Sequence, residues 1–176
     1  MTYMKISKIL LILFLLLFSN GVKAEQKIVY VNMNVIMNDS LAGKSISQQL
    51  EKINQSNLKS FKKLETSLKL EETKILSQKN VLNEEEFKKK IISLQAKISD
   101  YNNSKKKTIN ELSKKKLNAQ ASLINSITPI LADYSKENSI SMIVSKQNII
   151  IGKKELDITA EILKILNNKI SNISLK

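Results

Sequence analysis

The chain has 176 residues, with 29 Lys and no Arg against 16 acids, for a net charge of +13. It has no His and no Cys, which removes the usual ligands of zinc, haem and iron–sulfur centres and the thiol nucleophile. Its three glycines are isolated, so no phosphate-cradling loop exists; no acid, base and nucleophile pair up either, and the expectation is a protein that is not an enzyme and needs no cofactor.

The N-terminus reads as a targeting segment. Lys5 and Lys8 precede an apolar run from Ile9 to Phe18, and Val22-Lys23-Ala24 places small residues where a signal peptidase reads. The run has 10 residues, whereas a membrane span needs ~20. Residues 1–24 are therefore expected to be a cleaved signal peptide, with cleavage after Ala24 and an exported mature chain from Glu25. Without a Cys there is nothing to acylate, so a lipoprotein is excluded.

Lys27 to Met33, β-branched and aromatic, reads as a strand. Between Gly43 and Pro129 lie 85 residues without Gly or Pro. A globular unit of that length would need tight turns, and hence Gly or Pro; two long helices with one short connection would not. The first helix is expected from about Ile46 to Gln78, with a seam of Leu50, Ile53, Leu58, Phe61, Leu64, Leu68 and Ile75. Asn57 and Glu71 fall where that seam should be apolar. The turn is placed at Lys79 to Asn83. Asn83 followed by Glu84-Glu85-Glu86 is a helix start, with a side-chain cap and three negative charges at the positive end of the helix dipole. Phe87, Ile91, Leu94, Ile98 and Tyr101, then Thr108 and Leu112, keep a four–three alternation of coiled-coil type, with Lys105 in the gap.

Three lysine runs punctuate the second helix: Lys88, Lys89 and Lys90; Lys105, Lys106 and Lys107; Lys114, Lys115 and Lys116. They are expected on the exposed faces. From Ile46 to Ile127 there are 17 Lys against nine acids, a net +8. The plain reading is a solvated coiled-coil surface, in a composition rich in Lys, Asn and Ile as an AT-rich genome gives. The functional reading is a field that attracts acidic chains or anionic lipid.

Leu123 to Tyr134 continues helically, with Pro129 expected to kink or restart the helix under a Thr128 cap. Ser139 to Ser145 reads as a second strand, Ile149 to Ile151 as a third, and Ile158 to Lys169 as a last helix. The fold class is α+β: a small β-sheet body, residues 25–45 and 128–176, carrying an antiparallel helical-hairpin arm over 46–127. A three-stranded body of that size is marginal alone and leaves open strand edges. Self-association of several copies resolves both.

The order of signal peptide, Lys27-Ile-Val-Tyr-Val-Asn-Met33, helical hairpin, strand segment at Ile140 to Ile151 and Asp157-Ile-Thr-Ala-Glu-Ile-Leu163 resembles the Skp (OmpH) family of periplasmic chaperones of Gram-negative bacteria. The resemblance covers the mature chain. Its specific parts are Val31-Asn32-Met33 and Asp157-Ile158-Thr159; the arms match in length and character. It implies a homotrimer with a shared β-barrel body and three arms around a cavity, an ATP-independent holdase for unfolded outer-membrane proteins, and the nine lysines as a diffuse client-binding surface. Anionic lipid or lipopolysaccharide is a further partner it allows, with no residues carried over for it. The rival readings are an exported structural or envelope coiled coil, and a basic nucleic-acid-binding coil. The second is opposed by the export signal and by the absence of Arg, whose planar fork suits phosphate better than Lys does.

Overall fold

The computed structural model describes residues 26–175. The expected signal peptide and its cleavage point lie outside the described residues. Strand β1 (Lys27–Val31) leads into helix α1 (Met33–Asp39), the long helix α2 (Leu41–Ser77), the longer helix α3 (Glu84–Glu137), strand β2 (Ile140–Ser145) and helix α4 (Thr159–Lys169). Short 3-10 turns occupy Lys146–Asn148 and Lys154–Leu156. At ~1.5 Å per residue α2 is ~55 Å long and α3 ~80 Å.

The termini of the helices are made by residues suited to them. Asn32 accepts a hydrogen bond from Val35 N at the start of α1, and Ser40 accepts one from Gly43 N at the start of α2. Asn83 accepts from Glu86 N at the start of α3, whose first turn holds Glu84, Glu85 and Glu86. At the other end of α3 the chain reverses through Ser139, at φ 52°, a left-handed conformation that disfavours side chains.

β1 and β2 pair in parallel, Val29 with Ile143, Tyr30 with Val144 and Val31 with Ser145. Parallel strands need a long crossover; here the crossover is the whole helical hairpin. On its other side β1 meets Asp157, with Ile158 N donating to Tyr30 O at 3.0 Å. The core gathers under this sheet. Val29, Val31, Ile36, Ala42, Ile46, Leu123, Ile127, Ile130, Ile158, Ile162 and Leu166 are all buried together. So α2 and α3 are anchored in the body by their roots and leave it as a pair. The C-terminal tail closes over the root: Gln49 Nε2 donates to Ile173 O, and Gln49 Oε1 accepts from Leu175 N.

Two expectations need correction. Ile149 to Ile151 does not form a third strand; it runs as bends between the 3-10 turns, with Ile150 99 % and Ile151 91 % exposed. Its composition suits a strand, but β1 is already flanked by β2 and by Asp157, and among the described residues Ile149 to Ile151 does not pair with the remaining edge of β2. Pro129 does not restart the helix either. α3 runs through it, and Thr128, expected as a cap, instead donates its hydroxyl to Ile124 O at 3.0 Å. Burial of Leu123, Ile127 and Ile130 on both sides of Pro129 anchors both halves of the helix to the body.

Candidate functional site

The candidate site is the hairpin arm, and its packing is uneven along its length. Near the body the two helices close on Ile46, Leu50, Ala119 and Leu123. Farther out the apolar contact is carried by single pairs. Phe61 and Tyr101 meet edge to face with ring centroids 5.9 Å apart. Glu71 and Lys97 form an ion pair across the hairpin at 2.6 Å. Toward the tip Ile75 and Leu94 are buried.

Glu71 and Asn57, which interrupt the sequence seam, are indeed turned toward the partner helix and half-buried. Leu58 and Leu64, expected in that seam, are 53 % and 50 % exposed. The seam of α2 passes through Ile53, Asn57 and Phe61, two consecutive steps of four, a stutter that locally unwinds a coiled coil and leaves Leu58 off the seam; Leu64 keeps a seam position and borders the groove opposite Lys97.

The nine predicted lysines do not share one face. The seam of α3 follows Phe87, Ile91, Leu94, Ile98, Tyr101, Lys105, Thr108, Leu112, Lys115 and Ala119 in steps of four and three. Lys105 and Lys115 are therefore seam residues. Lys115 is half-buried, and the Lys105 ammonium lies 5.8 Å from the Tyr101 ring centroid. For Lys115 the expected placement on an exposed face is corrected: the heptad repeat turns it toward the partner helix, where a cation weakens the pairing, whereas Lys105 takes a seam position and stays exposed.

The other seven divide about the helix axis. Lys88, Lys106 and Lys116 lie on one flank and Lys90, Lys107 and Lys114 on the other, while Lys89, at the back, is paired with Glu85 at 2.9 Å. The flanks can be told apart by what each meets on α2. Ile109, Ser113 and Lys116 line a groove of about 440 Å³ with Ser47, Glu51 and Asn54. Lys97, Asp100 and Ser104 line another of about 380 Å³, opposite Leu64, Ser67 and Glu71.

Sequence reasoning on the lysines alone misses the aliphatic side chains exposed among them. Ile92, Ile109 and Leu117 on α3 are 55 %, 59 % and 62 % exposed. Leu58, Leu70 and Leu76 on α2, and Val81 at the tip, are also exposed. Each of the three on α3 closely follows a lysine run, and that adjacency is the signal that was available.

In the body, one polar cluster ties β1 to α4. Asp157 accepts from Thr159 N and Oγ1 and from Lys146 Nζ at 3.0 Å, while Thr159 Oγ1 accepts from Asn32 N at 2.8 Å. Burial pushes the Asp157 carboxyl upward, but the Thr159 hydroxyl, the Lys146 ammonium and the Thr159 amide together hold it below the ordinary carboxylate range. This cluster contains the Asp157-Ile158-Thr159 motif, and its geometry is that of a structural latch. Among the described residues no group of acids is placed to hold a metal ion, and no helix is long and apolar enough to cross a membrane.

No curated protein matches the sequence. Among solved structures, a Caulobacter crescentus protein described as an OmpH-like outer membrane chaperone superposes with a TM-score of 0.82 over 86 % of this chain and 89 % of its own, at 15 % identity. That likeness fixes the fold: a long helical hairpin on a small sheet-bearing body. The family described as outer membrane protein (OmpH-like) matches residues 27–166, and by that match the chain belongs to the OmpH-like family.

Proposed function

We propose that the protein is a periplasmic holdase chaperone, exported by its N-terminal signal, that binds unfolded outer-membrane proteins between the arms of a homotrimer and keeps them from aggregating without ATP. The observation that carries this reading is the arm itself. It is anchored only at its root, its seam is broken by Asn57, Lys105 and Lys115, and its surface mixes exposed aliphatic chains with lysines. Such a surface suits many weak apolar and charged contacts with a chain that has no fixed shape. The description of the Caulobacter crescentus protein as a chaperone agrees with this use of the same fold.

The trimer is supported by what the body leaves open. Among the described residues β2 pairs only with β1, which leaves its outer edge free. In the segment that follows it Ile150 and Ile151 are almost fully exposed. Isolated two-stranded sheets are marginal, and pairing these edges between copies would extend the sheet and cover those side chains. The basic arms would favour acidic unfolded chains and act less strongly in high salt. Diluting a urea-unfolded porin with and without the mature protein, and following light scattering, tests the reading. Suppression of scattering by an equimolar trimer in the absence of nucleotide is expected; unchanged aggregation refutes it.

A further inference from the structure

The two flanks of α3 are chemically different from Phe87 to Ile124; before that span Glu85, one heptad ahead of Ile92, lies on the flank of Lys88. From Phe87 to Ile124 the acids on α3 are Asp100 and Glu111, and both lie on the flank of Lys90, Lys107 and Lys114. The opposite flank and the back of the helix beside it have no acid over that span; Ile92 and Ile109 stand on the flank, interleaved with Lys88, Lys106 and Lys116, and Leu117 and Ile124 stand at the back, all four exposed. Glu51 of α2 borders this flank in the groove beside Ile109 and Lys116, and its carboxylate accepts from Gln55 on its own helix. The other flank reads as an ordinary solvated helix surface: its charges alternate in sign, and Lys97 is neutralised by Glu71.

We infer that the basic-aliphatic flank of α3 is the face that grips an unfolded chain, and that it selects extended segments alternating apolar with acidic or polar side chains. This rests on the holdase reading above and names which surface and which client pattern serve it. The spacing of the anchors supplies the pattern. Ile92 and Ile109 are separated by ~25 Å along the helix, and Ile109 and Leu117 by ~12 Å. A chain lying extended beside the helix at ~3.3 Å per residue spans these gaps in about eight and about four residues. Both steps are even, so the side chains that reach the anchors come from one face of the extended segment. Its other face, and the intervening polar groups, meet water and the lysine heads. An alternation of period two is the pattern of strands destined for a membrane barrel. A lipid surface fits less well, because a bilayer takes up a contiguous apolar face, whereas these side chains stand singly and far apart.

Three variants of the full mature chain test this, all at exposed positions so that the helix is retained. The first replaces Ile92, Ile109 and Leu117 by Ser. The second carries Lys88→Ser, Lys106→Ser and Lys116→Ser. The third carries Lys90→Ser, Lys107→Ser and Lys114→Ser, and so has the same net charge as the second. Each is titrated against a fluorescently labelled, urea-unfolded porin and against phosphatidylglycerol vesicles. The first is expected to bind the porin about tenfold more weakly or worse, the second about fivefold, and the third within about twofold of wild type. A peptide alternating Val with Asp should bind more tightly than one of equal composition arranged in blocks. Equal losses in the two lysine variants would reduce the effect to net charge and overturn the inference. Retained porin binding by the aliphatic variant would do the same, as would a loss confined to the vesicles. A wild-type protein that fails to bind the porin at all would instead remove the holdase reading on which the inference stands.

Discussion

Gly43→Ala sets two effects of opposite sign against each other. Gly43 lies in the first turn of α2, where Ala has the better helix propensity by ~1 kcal/mol. A Cβ built there, however, would stand 2.0 Å from the Met37 carbonyl oxygen, 2.8 Å from its carbon and 3.0 Å from the Ser40 hydroxyl. Two of these atoms are backbone at the end of α1, so no rotamer change relieves the contact. Restoring a separation of 3.0 Å requires α1 and α2 to part by about 1 Å. Ser40 and Ala42, just before it in the chain, are fully buried, so that movement propagates into the core where the arm is rooted. Overpacking costs ~1–3 kcal/mol and more where the backbone must yield, so the clash outweighs the propensity and the net loss is ~2 kcal/mol or more. For a chain of this length that lowers Tm by about 5–8 °C. The assay is a far-ultraviolet circular dichroism melt of the mature protein at fixed concentration, since association makes Tm concentration-dependent. Gly152→Ala is the companion measurement. Its Cβ would meet side-chain atoms, Tyr30 Cε1 at 2.9 Å and Ile149 Cγ2 at 3.3 Å, which can shift, and the change in Tm should stay within about 2 °C. A Gly43→Ala protein that melts at or above the wild-type temperature would refute the reasoning.

Ser139→Gly should stabilise the protein by ~0.5–1 kcal/mol, because φ 52° strains a side chain more than the extra freedom of Gly costs; a lower Tm would contradict this. Asp157 has its folded pKa lowered, so its contribution is present above the unfolded value of ~3.9 and is lost as the pH falls through the folded value. Asp157→Asn should therefore lower Tm at neutral pH and flatten its decline below about pH 4, and an unaltered pH profile would count against the latch. Replacing the seam lysines, Lys105→Leu with Lys115→Leu, should tighten the arm by ~1 kcal/mol per site. Amide exchange across residues 100–120 should slow about tenfold, and unchanged exchange would mean that these positions do not face α2.

Much of this architecture could be read from local chemistry. Asn83 with its three glutamates states a helix start in four residues, and the run from Gly43 to Pro129 has nothing to break a helix. Asn57 and Glu71 were visible as polar interruptions because each replaces an apolar residue in a repeat. Other features depend on geometry that accumulates with distance. A helix drifts against a heptad by ~20° per repeat, so a stutter near Asn57 is enough to turn Leu58 from seam to surface. The same repeat puts Lys105 and Lys115 at seam positions, Lys115 half-buried and Lys105 still exposed, while their neighbours in the same runs stand on opposite flanks. Ile149 to Ile151 shows the complementary limit. Three β-branched residues express a preference for a strand, but a strand also needs a partner, and among the described residues these three pair with neither β1 nor β2. Pro129 expresses a preference for a break, and burial of Leu123, Ile127 and Ile130 overrides it.

The central claim, that a few copies of a small body gather loose basic arms around an unfolded chain, is tested most directly by native mass spectrometry of the mature protein mixed with a urea-unfolded porin in the absence of nucleotide. The account predicts a mass of three chains alone and three chains plus one porin in the mixture. A monomeric mass at micromolar concentration, or a trimer that never carries the porin, would contradict it.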